Sequence, residues 1–209
     1  VVSCAGVAPA GSLLTSPVKM FTRAFDINAA ANVVLAQAFL PAMISNNHGH
    51  FMTVASSASY FSLPNLCAYS MSKTAALAFL ESLRAELRAV YKACRVRTSV
   101  VTPTKVRTVL AEGLNEGDDD FLMPVLEPIQ VARAMADTLN SGLSRNISLP
   151  LGSALLPYLR ALPEWYRGAL RAMGNTDALV TPDSISRGQQ ALRGHQSNLD
   201  HMKKLGVHS

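Results

Sequence analysis

Charge, sulfur and unbroken apolar stretches are all scarce in this 209-residue chain, and each shortage removes a class of protein. Charged residues make up only 16%, and the formal charge of +5 is spread without basic runs, which argues against nucleic acid as a partner. That excess would suit an anionic ligand, but only as weak evidence. The three cysteines, Cys4, Cys67 and Cys94, are odd in number, sit among apolar neighbours and show no metal-ligand spacing. This favours reduced thiols in a reducing compartment over a disulfide framework. No apolar stretch reaches the ~18 residues needed to cross a bilayer, and no signal-peptide pattern is present. There is no Gly-x-Ser-x-Gly and no evident histidine partner for a serine, which sets a serine hydrolase with Ser56 as nucleophile far behind other readings. No internal repeats are found.

What is abundant is apolar surface. Hydrophobic residues account for 49%, enough for one large core and no second one. Short and long apolar runs alternate, the pattern of an α/β fold in which helices cover a parallel sheet. "VVSCAG" reads as a strand running into a glycine turn. Phe21, Phe25, Ala29, Val33, Ala36, Leu40 and Met43 have helical spacing from about Thr22 to Ile44. "HFMTVASS" is a buried strand, the stretch from Cys67 to Ala93 a long helix, and "RVRTSVVTP" a third strand stopped by Pro103. Residues 111–120 form a polar loop. "EPIQVARAMADTLNSG" is a helix with proline near its start and glycine at its end, and "NISLP" is a fourth strand. Two amphipathic helices divided at Pro163 follow in 153–173. From Thr181 the chain turns polar, so residues 1–180 are assigned to the folded domain and 181–209 to a flexible tail.

Tyr69 and Lys73 stand four apart, on one face of the long helix. An ammonium ~5 Å from a phenol, at an effective dielectric of ~20, favours the phenolate by roughly 3 kcal/mol, about two pKa units. Such a tyrosine is a usable proton shuttle. Chance produces a pair of this kind in roughly one chain in four of this composition, so the pair alone is more often structural. Ser56 ends the preceding strand, where ligands bind in parallel sheets. Its hydroxyl either holds a substrate oxygen or caps the loop. Asn28 shares its helix's apolar stripe with Phe21 and Phe25, and as a buried amide it props a neighbouring backbone or binds ordered water.

Taken together, "SCAGV", "FDIN" before a helix ending "FLPAM", Ser56 thirteen positions before Tyr69 in "AYSMSK", and "TPTKVRT" after a later strand resemble the short-chain dehydrogenase/reductase family. "NNHGHFMTVASSAS", "SLRAEL" and "LLPYLRALPEWYRGALRAMG" are most similar to its retinol and 17-beta-hydroxysteroid dehydrogenase branch. The resemblance implies a Rossmann-like doubly wound sheet lacking its first βαβ units, with ~80–90 residues expected ahead of Val1. It implies a catalytic set of Asn28, Ser56, Tyr69 and Lys73. Tyr69 would exchange the carbinol proton and Ser56 position the oxygen. Lys73 would bind the nicotinamide ribose and acidify Tyr69, and Asn28 would hold a proton-relaying water. The cofactor would be NAD or NADP, contacted by Cys4, Ala5, Gly6, Tyr69, Lys73, Val106 and Thr108. The substrate would be a small apolar alcohol or ketone, such as a retinoid, steroid or lipid. Close helix approach at Ala75, Ala76 and Ala78 would accompany a homodimer or homotetramer, located in the cytoplasm or on the cytosolic face of an intracellular membrane. A chain that keeps the four residues without holding nucleotide would instead be a binding module.

Two departures from the family pattern bear on cofactor affinity. Ser3-Cys4-Ala5-Gly6 stands for the usual Asn-Asn-Ala-Gly, and Thr104 takes the place of the glycine after the proline. Elsewhere the "HGH" at 48–50 reads as a turn and not a metal pair. Asp118–Asp120 reads as a solvated loop, and the acceptor pattern at Asn146 falls in a predicted strand. Leu155, Leu156, Tyr158, Leu159 and Trp165 would suit an apolar substrate tunnel or a bilayer-facing patch.

Overall fold

The fold is seen in a computed structural model that describes residues 1–111 and 124–173 together with 180, 181 and 185. Asp118–Asp120 and nearly all of the polar tail lie outside the described residues.

Four parallel strands form one sheet in the order β1-β2-β3-β4: β1 (Val2–Ser3), β2 (Gly49–Val54), β3 (Val96–Pro103) and β4 (Asn146–Leu149). The register sets Val2 opposite Met52, Thr53 opposite Val100, and Val101 opposite Ile147. Successive side chains of a strand point to opposite faces. Phe51, Val96 and Val100 therefore pack under α2 (Ala31–Ser45) and α3 (Cys67–Ala89), against Ala36, Leu40, Leu77, Leu80 and Leu83. Met52 and Val101 face the other way, onto Val131, Met135 and Leu139 of α4 (Pro128–Ser141). The α/β reading and all four expected strands are thus present, with helices on both faces. α4 starts and stops as its sequence demands. Glu127 and Gln130 form a reciprocal capping box, and Gly142 closes the helix at φ 63°, where a Cβ would be strained.

The first helical layer departs from expectation. It begins at Val18 with α1 (Val18–Phe25), passes through a π turn at Asp26–Ala30, and continues as α2. The buried stripe is Ala24, Asn28, Asn32, Ala36 and Leu40, while Phe25 and Val33 are exposed. Asn28 therefore does not share a stripe with Phe21 and Phe25. Sixteen residues of pure α-helix would carry a strict four-residue stripe ~160° around the axis. One extra residue in the π turn takes back ~100°, and the stripe stays on the sheet.

The same helix corrects the expectation about apolar length. Val18–Ser45 is long and apolar enough to cross a membrane by length and composition. Asn28, Asn32, Gln37 and Pro41 break any unbroken run of apolar residues, yet the Ile, Val, Leu, Phe and Ala around them keep the average hydropathy high. In the fold this helix is a layer over the sheet, and its buried residues face β2 and α3.

The late helices, expected to suit a tunnel or a bilayer-facing patch, are largely exposed. A 3₁₀ turn (Leu151–Leu155), a short α5 (Leu156–Leu159) and α6 (Glu164–Met173) flank Pro163. Leu156 is buried, but Leu155, Tyr158 and Trp165 are 68%, 73% and 74% exposed. All three cysteines are free, with Cys4 and Cys94 exposed instead of lying in apolar surroundings. No group of metal-ligating side chains occurs among the described residues, and His50 bonds Ser99 Oγ at 2.9 Å.

Candidate active site

The expected catalytic residues converge beyond the carboxyl ends of β1 and β2. Ser56 follows β2, 5% exposed, with extended backbone (φ −166°, ψ 158°). Its Oγ accepts from the Ala58 N–H at 3.2 Å, and its hydroxyl lies close enough to the Tyr69 phenol to pull that group's pKa down. The loop-capping reading of Ser56 is seen directly, and the hydroxyl stands beside the phenol.

Tyr69 and Lys73 rise from the first two turns of α3, with Lys73 Nζ 6.0 Å from the centre of the Tyr69 ring. The lysine is 4% exposed and donates to the Val54 carbonyl at 2.8 Å, which ties α3 to the end of β2. Burial draws its pKa down from 10.5 to about 8, weakly opposed by Cys4. Tyr69 is half-buried with its hydroxyl end enclosed. Burial pushes its pKa above the ordinary 10.0, and the Ser56 hydroxyl pulls it back. The expected acidification by Lys73 is therefore not met. The ammonium donates to the Val54 carbonyl, and desolvation is the largest influence on the phenol.

Asn28, 2% exposed, satisfies its amide on protein alone. Oδ1 accepts from the Val7 N–H at 2.8 Å; Nδ2 donates to the Val7 carbonyl at 2.8 Å and to Ser72 Oγ at 2.8 Å. Its bonds to Val7 N–H and C=O brace that stretch of backbone, one of its two open readings. Ser72 Oγ in turn donates to the Tyr69 carbonyl at 2.8 Å. Ser72 escaped the sequence reading although it lies within "AYSMSK"; its position three residues after Tyr69 was the available signal, since it puts both on one face.

Gly6 sits where these groups meet. A Cβ there would stand 3.2 Å from Asn28 Oδ1 and 3.3 Å from Lys73 Nζ, so a side chain would press on both. Cys4 and Ala5, just before it, are exposed at the end of β1. Val106 and Thr108 follow β3 on a separate segment. Val106 pairs with Leu126 and packs into the α4-side core, and Thr108 is exposed with its hydroxyl on the Val106 carbonyl at 3.3 Å. Their recorded bonds run to Leu126 and within the segment, and none reaches Asn28, Ser56, Tyr69 or Lys73. Thr104 adopts no left-handed backbone, so glycine's freedom is not needed there, but its Oγ1 is buried without a partner.

A family model described as short chain dehydrogenase matches residues 1–119. Estradiol 17-beta-dehydrogenase 11 of Homo sapiens is 37% identical over 172 residues, covering 81% of this chain and 55% of its own. Epidermal retinol dehydrogenase 2 of Mus musculus is 36% identical over 135 residues, 65% of this chain and 43% of its own. The chain spans about half the length of the curated relatives it matches. Among solved structures, a gluconate 5-dehydrogenase from Burkholderia cenocepacia J2315 in complex with NADP and tartrate superposes with a TM-score of 0.63 at 17% identity, covering 73% of this chain and 63% of that one. At that identity the likeness speaks for the fold.

Proposed function

Because the chain belongs to the short chain dehydrogenase family, we propose that its parent protein is an NAD(P)-dependent oxidoreductase that interconverts an alcohol and a carbonyl on a small apolar substrate. The observation that carries this is the buried meeting of the Ser56 hydroxyl, the Tyr69 phenol and the Lys73 ammonium at the strand ends. A nicotinamide cofactor would supply the hydride, which no side chain can.

The residues present fit the nicotinamide end of such a cofactor. Gly6 leaves bare backbone against Lys73 Nζ, a cradle that any larger residue would fill. Lys73 and Tyr69 would hold the ribose, Val106 and Thr108 the nicotinamide side, and Cys4, Ala5 and Gly6 the approach from β1. Tyr69, kept neutral by burial, donates its proton to a carbonyl oxygen in reduction and takes it back in oxidation. Ser56 Oγ fixes that oxygen beside the phenol. Lys73 replaces the proton through its own ammonium, which about half of the molecules carry near pH 8. Asn28 keeps Gly6-Val7 and α3 in register; holding a relay water would fall to valences its side chain does not use on Val7 and Ser72.

The apolar substrate class rests on the 17-beta-dehydrogenase and retinol dehydrogenase names of the relatives. A homodimer or homotetramer through α2 and α3 draws support from Val33, Val34, Phe39 and Met71, all exposed on those helices. Association with the cytosolic face of a membrane draws support from exposed Leu151, Leu155, Tyr158 and Trp165.

The test is turnover of full-length protein with NADH and NADPH on retinoid and steroid ketones and alcohols, beside Tyr69→Phe. Loss of one proton donor is worth about 10²–10⁴ in rate. A variant with near-normal turnover would remove Tyr69 from the chemistry, and nucleotide binding without turnover on any alcohol or ketone would favour a binding module.

A further inference from the structure

We propose that Asn32 is a positioning residue, which together with Thr53 holds the π turn that aims Asn28 at Val7 and α3. This rests on the functional reading above and extends it to a residue not in contact with the reacting atoms.

Asn32 lies one turn beyond Asn28 and is 1% exposed in an apolar helix, where an amide costs free energy unless each valence is met. All of its polar groups are engaged. Nδ2 donates to the Asn28 carbonyl at 3.0 Å and to the Ala29 carbonyl at 3.2 Å; Oδ1 accepts from Thr53 Oγ1 at 3.1 Å. Because both helix neighbours are acceptors, the amide has one consistent orientation, with nitrogen toward the helix and oxygen toward β2. Thr53 is equally buried, 1% exposed.

A π turn replaces regular i→i−4 bonding with longer rings and leaves carbonyls short of close donors. Asn32 supplies a donor to two consecutive carbonyls inside the turn, and Thr53 anchors that amide to the sheet. The result is a fixed phase for Asn28, whose side chain can then span Val7 and Ser72 together. If the turn reverts to α geometry, its residues rotate by ~100° relative to the helix beyond, and Asn28 cannot keep both partners. Two buried amides four residues apart thus divide the task, with Asn28 binding outward to the site and Asn32 binding backward to hold Asn28.

The experiment uses the full-length protein with Asn32→Ala, Thr53→Val and the double variant. Hydrogen exchange by NMR at the Val7 amide is read beside kcat, KM and thermal midpoint. Loosening of the Asn28 bond predicts exchange at Val7 faster by about tenfold in Asn32→Ala, with amides of β3 unchanged. Misplaced site groups predict a kcat lower by about tenfold with KM held within about twofold. The double variant should be no worse than Asn32→Ala, since Thr53 acts through Asn32. Unchanged Val7 exchange, a uniform rise across the sheet, or local loosening with normal kcat would each overturn the proposal. If the unmodified protein turns over no substrate, the functional reading fails while the exchange measurement still decides whether Asn32 holds Asn28.

Discussion

Replacing Lys73 with methionine should make the fold more stable at neutral pH while abolishing reactivity. The lysine is 4% exposed with its pKa lowered from 10.5 to about 8. A tenfold change in proton affinity is worth about 1.4 kcal/mol, so keeping the ammonium in place costs about 3 kcal/mol below pH 8. Methionine keeps the volume and loses the bond to the Val54 carbonyl, returning about 1–2 kcal/mol of that. A net gain of about 1–2 kcal/mol at pH 7 follows. The pH dependence is the sharper readout. Between about 8 and 10.5 the unfolded chain holds a proton on this lysine that the folded chain has released, so stability rises with pH across that window. From pH 7 to 9.5 the lysine adds about 2 kcal/mol to the unmodified protein and nothing to Lys73→Met. Urea titrations of both proteins at the two pH values isolate this difference, because groups not coupled to Lys73 cancel. Parallel pH profiles would refute the claim that this ammonium is held against the pull of solvent.

Gly6→Ala should reduce turnover and destabilise by about 1–3 kcal/mol, since its Cβ would meet Asn28 Oδ1 at 3.2 Å and Lys73 Nζ at 3.3 Å; urea midpoints and kinetics check it, and an alanine accepted at no cost would mean the three groups are not tightly seated. Ser56→Ala should raise the Tyr69 pKa further, because the hydroxyl is what opposes burial there. Ultraviolet titration, with Tyr69→Phe subtracted, reads this directly, and a fall would contradict it. The same variant should lose about 10²–10³ in kcat as one oxyanion-side donor disappears.

Much of the scaffold was written in local pattern. Phe51, Val100 and Val101 lie in runs of β-branched and apolar residues that fit only a buried strand. Pro128 and Gly142 mark the ends of α4 by backbone chemistry alone. Tyr69 and Lys73 were legible because four residues of helix place two side chains on one face whatever surrounds them. Other features depend on what the chain folds against. Periodicity assumed 3.6 residues per turn throughout and therefore placed Phe25 and Val33 in the core, whereas the π turn brought Asn32 there instead. Leu155, Tyr158 and Trp165 have an amphipathic spacing that says which residues share a face, but not whether anything covers it. Val106 and Thr108 were placed by family likeness; Val106 pairs with Leu126, and the Thr108 hydroxyl bonds the Val106 carbonyl.

The order of strands and helices, the pairing of a phenol with an ammonium on α3, and the hydroxyl at the end of β2 are all readable in the residues alone, because each follows from short-range geometry. The protonation balance of that pair and the employment of the two buried amides were settled by packing. Desolvation depends on everything that surrounds a group, and the Val7, Ser72 and Thr53 partners come from parts of the chain that meet only when the sheet has formed.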